Sequence, residues 1–243
     1  MGRLGTDYID LFWVHAWDGS TGLSEVMRAL DDQVRNGKIL HIGISNAPAW
    51  VISAANTLAE ERGWTPFTAM QLHYNLVERS IESEHFALAN AQNMAITPWS
   101  PLAGGLLTGK FNRDQDPGSR AGTRLADSPR RAQVLDEKNL EVAEKLAELA
   151  REMGCSPAQL ALVWMMRRTT TCVVPIIGAR KLDQLQDNLG ATQIELTPVQ
   201  IAALDELAAP ETAYPQMLYE SDFFRALMYG EAWHQLELDR PWQ

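Results

Sequence analysis

The chain has 243 residues, 46% of them hydrophobic and 21% charged, with a formal net charge of −10. That is enough apolar material for one large domain or two small ones, and the acidic balance, with no Lys/Arg cluster, argues against a nucleic-acid or anionic-membrane partner. Cys155 and Cys172 are the only cysteines and lack metal-ligand spacing; with no secretory pattern or membrane-length apolar run, the expectation is a soluble protein of the reducing cytoplasm. Met1-Gly2-Arg3-Leu4-Gly5-Thr6 fits a myristoylation pattern, although the same letters read as a helix end and a turn.

The stretch Asp7-Tyr8-Ile9-Asp10-Leu11-Phe12-Trp13-Val14-His15 has the length and the β-branched, aromatic content of a strand buried on both faces. It ends on a histidine before a polar turn, Asp18-Gly19-Ser20. A histidine at the C-terminal tip of a buried parallel strand is placed where an α/β barrel keeps its chemistry. A helix is expected from Leu23 to Asn36, with Val26, Leu30 and Val34 on one face and Gly37 as its stop. Ile39 to Ile44 reads as the second strand, with Ser45 and Asn46 capping a helix from Pro48 to Arg62. The third strand spans Thr68 to His73 and is followed by a helix from Glu82 to Asn93.

The fourth strand, Met94 to Trp99, opens into a glycine-rich and then charged connection from Ser100 to Pro129. A long amphipathic helix is expected from Ala132 to Met153, and Ser156-Pro157-Ala158-Gln159 is a capping box starting another to Arg168. Cys172 to Ile177 reads as the fifth strand, followed by a helix from Leu182 to Leu189. Thr197-Pro198-Val199-Gln200 repeats the capping box and starts a helix to Ala208, and the tail from Pro210 to Gln243 reads as a covering loop. Short apolar strands alternating with amphipathic helices mean βαβ units and a parallel sheet. Five units are visible, where an eight-unit barrel takes about 250 residues.

Three features carry chemistry. Gly104-Gly105-Leu106-Leu107-Thr108-Gly109-Lys110-Phe111 matches a P-loop until its last position, where Phe111 replaces the hydroxyl that Mg²⁺ requires. No Gly-x-Gly-x-x-Gly occurs, so the loop is read either as a backbone cradle for a diphosphate or as a flexible connection. Gly178-Ala179-Arg180-Lys181, between a strand and a helix start, suits an anion, and the Arg180 fork suits a phosphate. His15 and His73 lie at strand ends, whereas His41, His85 and His234 read as structural or exposed. A metal held by His15 and His73 would need a third ligand that the sequence does not obviously supply.

Taken in order, Leu4 to His15, Gly43-Ile44-Ser45-Asn46, Gln71-Leu72-His73-Tyr74-Asn75, Trp99 to Lys110 and Pro175 to Arg180 resemble the aldo-keto reductase family. The resemblance implies a (β/α)8 TIM-barrel fold that uses NADP(H) without a Rossmann motif and a small-molecule carbonyl substrate. It implies that His15 is catalytic, donating a hydrogen bond to the carbonyl. It further implies that Ser45, Asn46 and Gln71 hold the nicotinamide carboxamide and that Trp99 stacks on the nicotinamide. The backbone from Ser100 through Leu102 to Gly104 would follow the pyrophosphate. Gly178 and Arg180 would take the adenosine 2′-phosphate, with Gln184 and Asn188 near the adenine and the tail in the substrate pocket. An arginine at that place favours NADPH over NADH.

The family's chemistry is hydride transfer to an aldehyde or ketone, with a tyrosine as proton donor beside a lysine and an aspartate. Those three residues lie on the first three barrel units, and the matched segments correspond to strands four to eight. The expectation is therefore an incomplete barrel over residues 1–209, lacking its first three βα units, with 210–243 as the tail of the same domain. Asp7 and Tyr8 precede the first strand and so belong to its opposite end. Five strands leave two apolar edges open, so self-association is expected. Two other readings remain: an inactive NADP-binding sensor or subunit, and a metal-dependent barrel hydrolase using His15 and His73.

Overall fold

The computed structural model describes residues 2–111, 131–167, 171–212, 214–230 and 232–235. Four strands, β1 (Ile9–Val14), β2 (Ile39–Ser45), β3 (Phe67–Gln71) and β4 (Ala95–Ile96), form one parallel sheet in the order β1-β2-β3-β4. Parallel neighbours need a crossover between them, and α1 (Leu23–Arg35), α2 (Ala49–Arg62) and α3 (His85–Ala91) supply one each. After these come α4 (Arg131–Val134), α5 (Glu137–Glu152), α6 (Pro157–Arg167), α7 (Leu182–Gly190) and α8 (Pro198–Leu207), then α9 (Gln216–Glu220) and α10 (Asp222–Tyr229). The α/β architecture with a parallel sheet is the one expected. No helix among the described residues is long and apolar enough to cross a membrane.

The core sits between the sheet and its helices. Ile42, Ile44, Met70 and Ile96 are buried on the strands, and Ile52 and Trp164 close on them from α2 and α6. Trp13 and Gly43 are register partners across β1 and β2. A Cβ on Gly43 would come within 2.4 Å of the Trp13 ring, so glycine is what lets the indole lie against the neighbouring strand.

Several boundaries differ from expectation, each for a local reason. β1 is not buried on both faces: Asp10 and Phe12 are exposed, because among the described residues β1 has β2 as its one neighbour and α1 packs on β2 and α2. On α1 the buried line is Met27, Leu30 and Asp31 rather than Val26, Leu30 and Val34. The helix expected from Glu82 is split, with a 3-10 turn at Ser80–Ser83 and Glu84 (φ −136°) breaking the path into α3. Asp136 accepts from Asn139 N and so starts α5 afresh, dividing the long helix expected from Ala132.

The fifth strand is an extended edge rather than a full ladder. Ile96 N donates to Cys172 O, Val174 N to Ile96 O and Ile176 N to Pro98 O, each at 2.9 Å. Pro98 and Pro175 each remove a donor, which shortens the pairing and also ends β4 early. The tail forms α9, α10 and a 3-10 turn at Trp233–Gln235 instead of a loop, and no residue of α10 is buried. The charged part of the connection at 112–130, the expected helix end at Arg168 and the last residues 236–243 lie outside the described residues.

Two polar clusters tie helices to the loops around β3. Asp31 accepts from Thr65 N at 2.9 Å, Thr65 Oγ1 at 3.0 Å and the Arg35 guanidinium, while Arg35 also donates to Gly63 O at 2.8 Å. Burial alone would raise the Asp31 carboxyl; the Arg35 and Thr65 donors more than offset it and hold the group below the usual carboxylate range. Beyond β3, Arg79 makes a two-pronged bond to Glu82 at 2.8 and 3.0 Å and donates to Asp205 O at 2.7 Å. Tyr74 donates to Glu82 and Trp164 Nε1 to the Asp205 carboxylate, so the loop after β3, α6 and α8 share one network.

Candidate functional site

Parallel strands deliver all their C-terminal ends to one edge, and here that edge is polar. His15 follows β1, Ser45 closes β2, Gln71 closes β3, and Trp99 lies two residues beyond Thr97, whose N–H bonds to Met70 O at 2.8 Å. Asn46 is the point at which these ends meet. Its backbone is left-handed (φ +49°), a conformation that asparagine tolerates better than most residues. Its Nδ2 donates to His15 O at 3.0 Å and to Ser45 Oγ at 2.9 Å, its backbone N–H to Gln71 O at 3.3 Å, and its Oδ1 accepts from Trp99 Nε1 at 3.1 Å. Ser45 Oγ in turn donates to Gln71 O at 2.8 Å.

Ser45 and Asn46 therefore do not cap α2, as the sequence led one to expect. Pro48 stands at the cap position without a side-chain bond, because the left-handed turn at Asn46 sends both side chains back onto the strand ends. Both amide hydrogens of Asn46 are committed within the protein. Gln71, half-buried, makes no side-chain hydrogen bond among the described residues, so it is the amide with a donor and an acceptor to spare. His15 is exposed at the mouth, and its backbone carbonyl rather than its ring is what Asn46 holds.

His73 and Asn75 belong to the same edge; the sequence marks His73 as a strand-end residue and candidate metal ligand, and Asn75 only as part of a motif. Alternation beyond β3 puts 71, 73 and 75 on one side, which was the available signal. His73 pairs with Trp99 across the sheet, and their rings stack with centroids 4.0 Å apart and planes 8° from parallel. Asn75, buried, donates to Ser100 O at 3.1 Å, lies 3.4 Å from His73 Nε2 and accepts from Val77 N at 3.0 Å.

The glycine-rich segment leaves Trp99 through a run of unusual backbone. Ser100 (φ +55°), Ala103 (φ +48°), Gly104 (φ +67°) and Gly105 (φ +108°) are all left-handed, with Leu102 (φ −107°) between them. Ala103 N donates to Ser100 O at 3.0 Å and Gly105 N to Leu102 O at 2.8 Å, so the run folds into tight turns against the strand end. Phe111, the residue that spoils the P-loop pattern, is a core side chain beneath Gly105. Gly178 and Arg180 are exposed after the edge segment whose Ile176 bonds to Pro98 O, so they border the Trp99 end of the sheet. Arg180 N donates to Gln184 Oε1 at 2.9 Å, and the Arg180 guanidinium makes no hydrogen bond among the described residues. Asn188, one helical turn on, is buried on α7. No three His, Cys, Asp or Glu side chains gather as a metal site among the described residues.

A spare amide, a partly exposed indole, a run of left-handed backbone and an exposed guanidinium thus follow one another between the end of β3 and the start of α7. The aldo/keto reductase family model matches residues 1–209. The chain belongs to the aldo/keto reductase family. A probable aryl-alcohol dehydrogenase of Saccharomyces cerevisiae is 33% identical over 213 residues, 88% of this chain and 64% of the relative. A norsolorinic acid reductase of Aspergillus flavus is 33% identical over 220 residues, 90% of this chain and 53% of the relative. An aryl-alcohol dehydrogenase [NADP(+)] of Phanerodontia chrysosporium is 31% identical over 245 residues, 98% of this chain and 63% of the relative. The chain spans between about half and two thirds of the length of these three relatives. Aldo/keto reductases use a nicotinamide cofactor, and the donor set along the strand edge of this member is chemically suited to one.

Proposed function

We propose that this chain forms the NADPH-binding part of an aldo/keto reductase that reduces an aldehyde or ketone carbonyl. The observation that carries the reading is the meeting of four strand ends on Asn46, which holds the Trp99 indole by its N–H and the end of β3 through Gln71 O. Gln71, with Ser45 and Asn46 behind it, would hold the nicotinamide carboxamide, and Trp99 would underlie the ring. The 100–104 backbone would follow the diphosphate, and Arg180 with Gly178 would take the 2′-phosphate, near Gln184 and Asn188. The cofactor, when bound, supplies a hydride. His15 donates a hydrogen bond to the substrate oxygen and stabilises the negative charge that develops there.

Arg180 supports NADPH over NADH, since a planar guanidinium at the start of α7 matches a phosphate. One relative carries NADP(+) in its name. The two free thiols, Cys155 and Cys172, fit a reducing cytoplasm. Exposed Phe12 on β1 and exposed Val174 and Ile176 on the opposite edge support self-association.

A second reading, an NADPH-binding subunit or sensor without turnover, is favoured by the surroundings of His15. Tyr8 lies before β1, at the far end of a strand roughly 20 Å long, and the Tyr74 hydroxyl is committed to Glu82. Neither can pass a proton to a carbonyl held at His15. Titrating NADPH and NADH against tryptophan emission, followed by a carbonyl panel, tests both readings. NADPH should quench at concentrations where NADH does not, and Arg180→Ala should weaken NADPH about tenfold with NADH unchanged. Equal binding of both cofactors, unaffected by Arg180→Ala, would remove the 2′-phosphate assignment. Carbonyl-dependent NADPH oxidation would decide for the enzyme over the sensor.

A further inference from the structure

We propose that His73 is a positioning residue for the nicotinamide ring, acting through Trp99; this rests on the reading of Trp99 as the nicotinamide platform. The argument begins with register. His73 and Trp99 face each other across neighbouring parallel segments, with Trp99 N donating to Leu72 O at 2.9 Å. Cross-strand partners point to the same side of a sheet, so both rings are delivered to the mouth. There they stack 4.0 Å apart and 8° from parallel.

An indole platform needs two constraints. A hydrogen bond at Nε1 fixes one edge but leaves the ring able to tilt about that edge. Asn46 Oδ1 supplies the first constraint at 3.1 Å. A flat partner against the indole face supplies the second, and His73 is that partner. Its own plane is set from behind by Asn75, whose Nδ2 lies 3.4 Å from His73 Nε2. Asn75 is itself buried and fixed by Ser100 O and Val77 N. A chain of fixed groups thus runs from the glycine loop through Asn75 and His73 to Trp99. The backbone of Ser100 and the ring of Trp99 would touch successive parts of one dinucleotide. His73 couples the angle of the ring to the position of that loop.

The test uses the full chain with three variants: His73→Ala, His73→Leu, which keeps apolar bulk without a flat face, and His73→Phe, which restores one. Two ligands are titrated by tryptophan emission and calorimetry: NADPH, and adenosine 2′,5′-bisphosphate, which has no nicotinamide. Aromatic pairs contribute about 0.5–1.5 kcal/mol beyond burial, so His73→Ala and His73→Leu should weaken NADPH about three- to tenfold. Adenosine 2′,5′-bisphosphate should bind all forms alike, and His73→Phe should recover NADPH affinity. Without any ligand, the Trp99 indole N–H resonance, assigned with Trp99→Phe, should shift in the Ala and Leu variants and return toward the parent position in Phe.

Equal loss for both ligands would make His73 a mere prop of the fold and overturn the proposal. So would unchanged NADPH affinity in both His73→Ala and His73→Leu. If the parent chain binds adenosine 2′,5′-bisphosphate as tightly as NADPH and the Trp99 resonance does not respond to NADPH, the platform reading itself fails, and this inference with it.

Discussion

Asn46 and Trp99, 53 residues apart in sequence, share a hydrogen bond in which the indole N–H donates to the Asn46 side-chain oxygen. The same asparagine gives its amide hydrogens to the ends of β1 and β2. One side chain therefore sets where the first strand stops and how the ring after the fourth is turned. A site built this way is rigid on the protein side, which favours binding, because less ordering is left to be done when a ligand arrives.

Asn46→Ala should cost about 1–3 kcal/mol of stability, combining lost hydrogen bonds with a Cβ residue held at left-handed φ. Asn46→Gly removes the same bonds without the backbone strain and should lose about 1 kcal/mol less. Urea midpoints of the two variants separate the contributions. Both should weaken NADPH binding, because Trp99 loses the same bond in each.

The Arg79–Glu82 pair is nearly inaccessible, with side chains 4% and 11% exposed. Arg79→Ala should destabilise by about 3–5 kcal/mol by leaving Glu82 without its cation. Arg79→Met combined with Glu82→Leu removes both charges and should lose less than Arg79→Ala. A double variant less stable than Arg79→Ala would contradict this account.

The Asp31 carboxyl is held below its ordinary range despite burial. A depressed acid contributes stability above its unfolded value, and that contribution fades as pH falls toward the folded one. Asp31→Asn should therefore be less stable than the parent at neutral pH and converge with it on acidification. Urea midpoints measured from pH 7 down to about pH 3 check the sign.

Gly43→Ala places a methyl group against the Trp13 ring and should cost about 1–3 kcal/mol through overpacking. Adding Trp13→Leu opens the space and should recover part of the loss. Strict additivity of the two substitutions would mean that they do not share the strain.

Self-association through the open edges should respond to charge. Phe12 is 37% exposed on β1 and Ile176 43% exposed on the far edge. Phe12→Lys or Ile176→Lys should move the chain toward smaller species in sedimentation, since charge on an edge opposes strand pairing. A parent chain that sediments as a single small species would leave nothing for these variants to change and would refute the expectation.

The alternation of strands and helices was legible from residue spacing alone, and the capping boxes at Ser156 and Thr197 are formed as read, with Gln159 N bonding to Ser156 Oγ and Gln200 N to Thr197 Oγ1. What spacing could not provide was the direction of Ser45 and Asn46. Both are good cap residues, and only the left-handed φ at Asn46 decides that they serve the strand ends instead. The break at Glu84 and the restart at Asp136 are invisible to spacing for a similar reason: the apolar period runs on while the backbone does not. His73 was recognised as a strand-end residue, but the coplanar stack on Trp99 depends on a register that no local pattern encodes.

The partners of Asn46 come from four successive βα units, and this has a consequence for how the molecule folds. The bond of Asn46 to Trp99 cannot form until the chain spanning their 53-residue separation has been collected, a longer and more costly closure than the 31-residue separation back to His15. The mouth should accordingly be among the last parts to become protected. In pulsed hydrogen-exchange labelling during refolding, the Trp99 indole proton should acquire protection after the amides of β2 and after the backbone N–H of Asn46, which needs only the end of β3. The timing of that one indole would then report the assembly of the whole sheet edge.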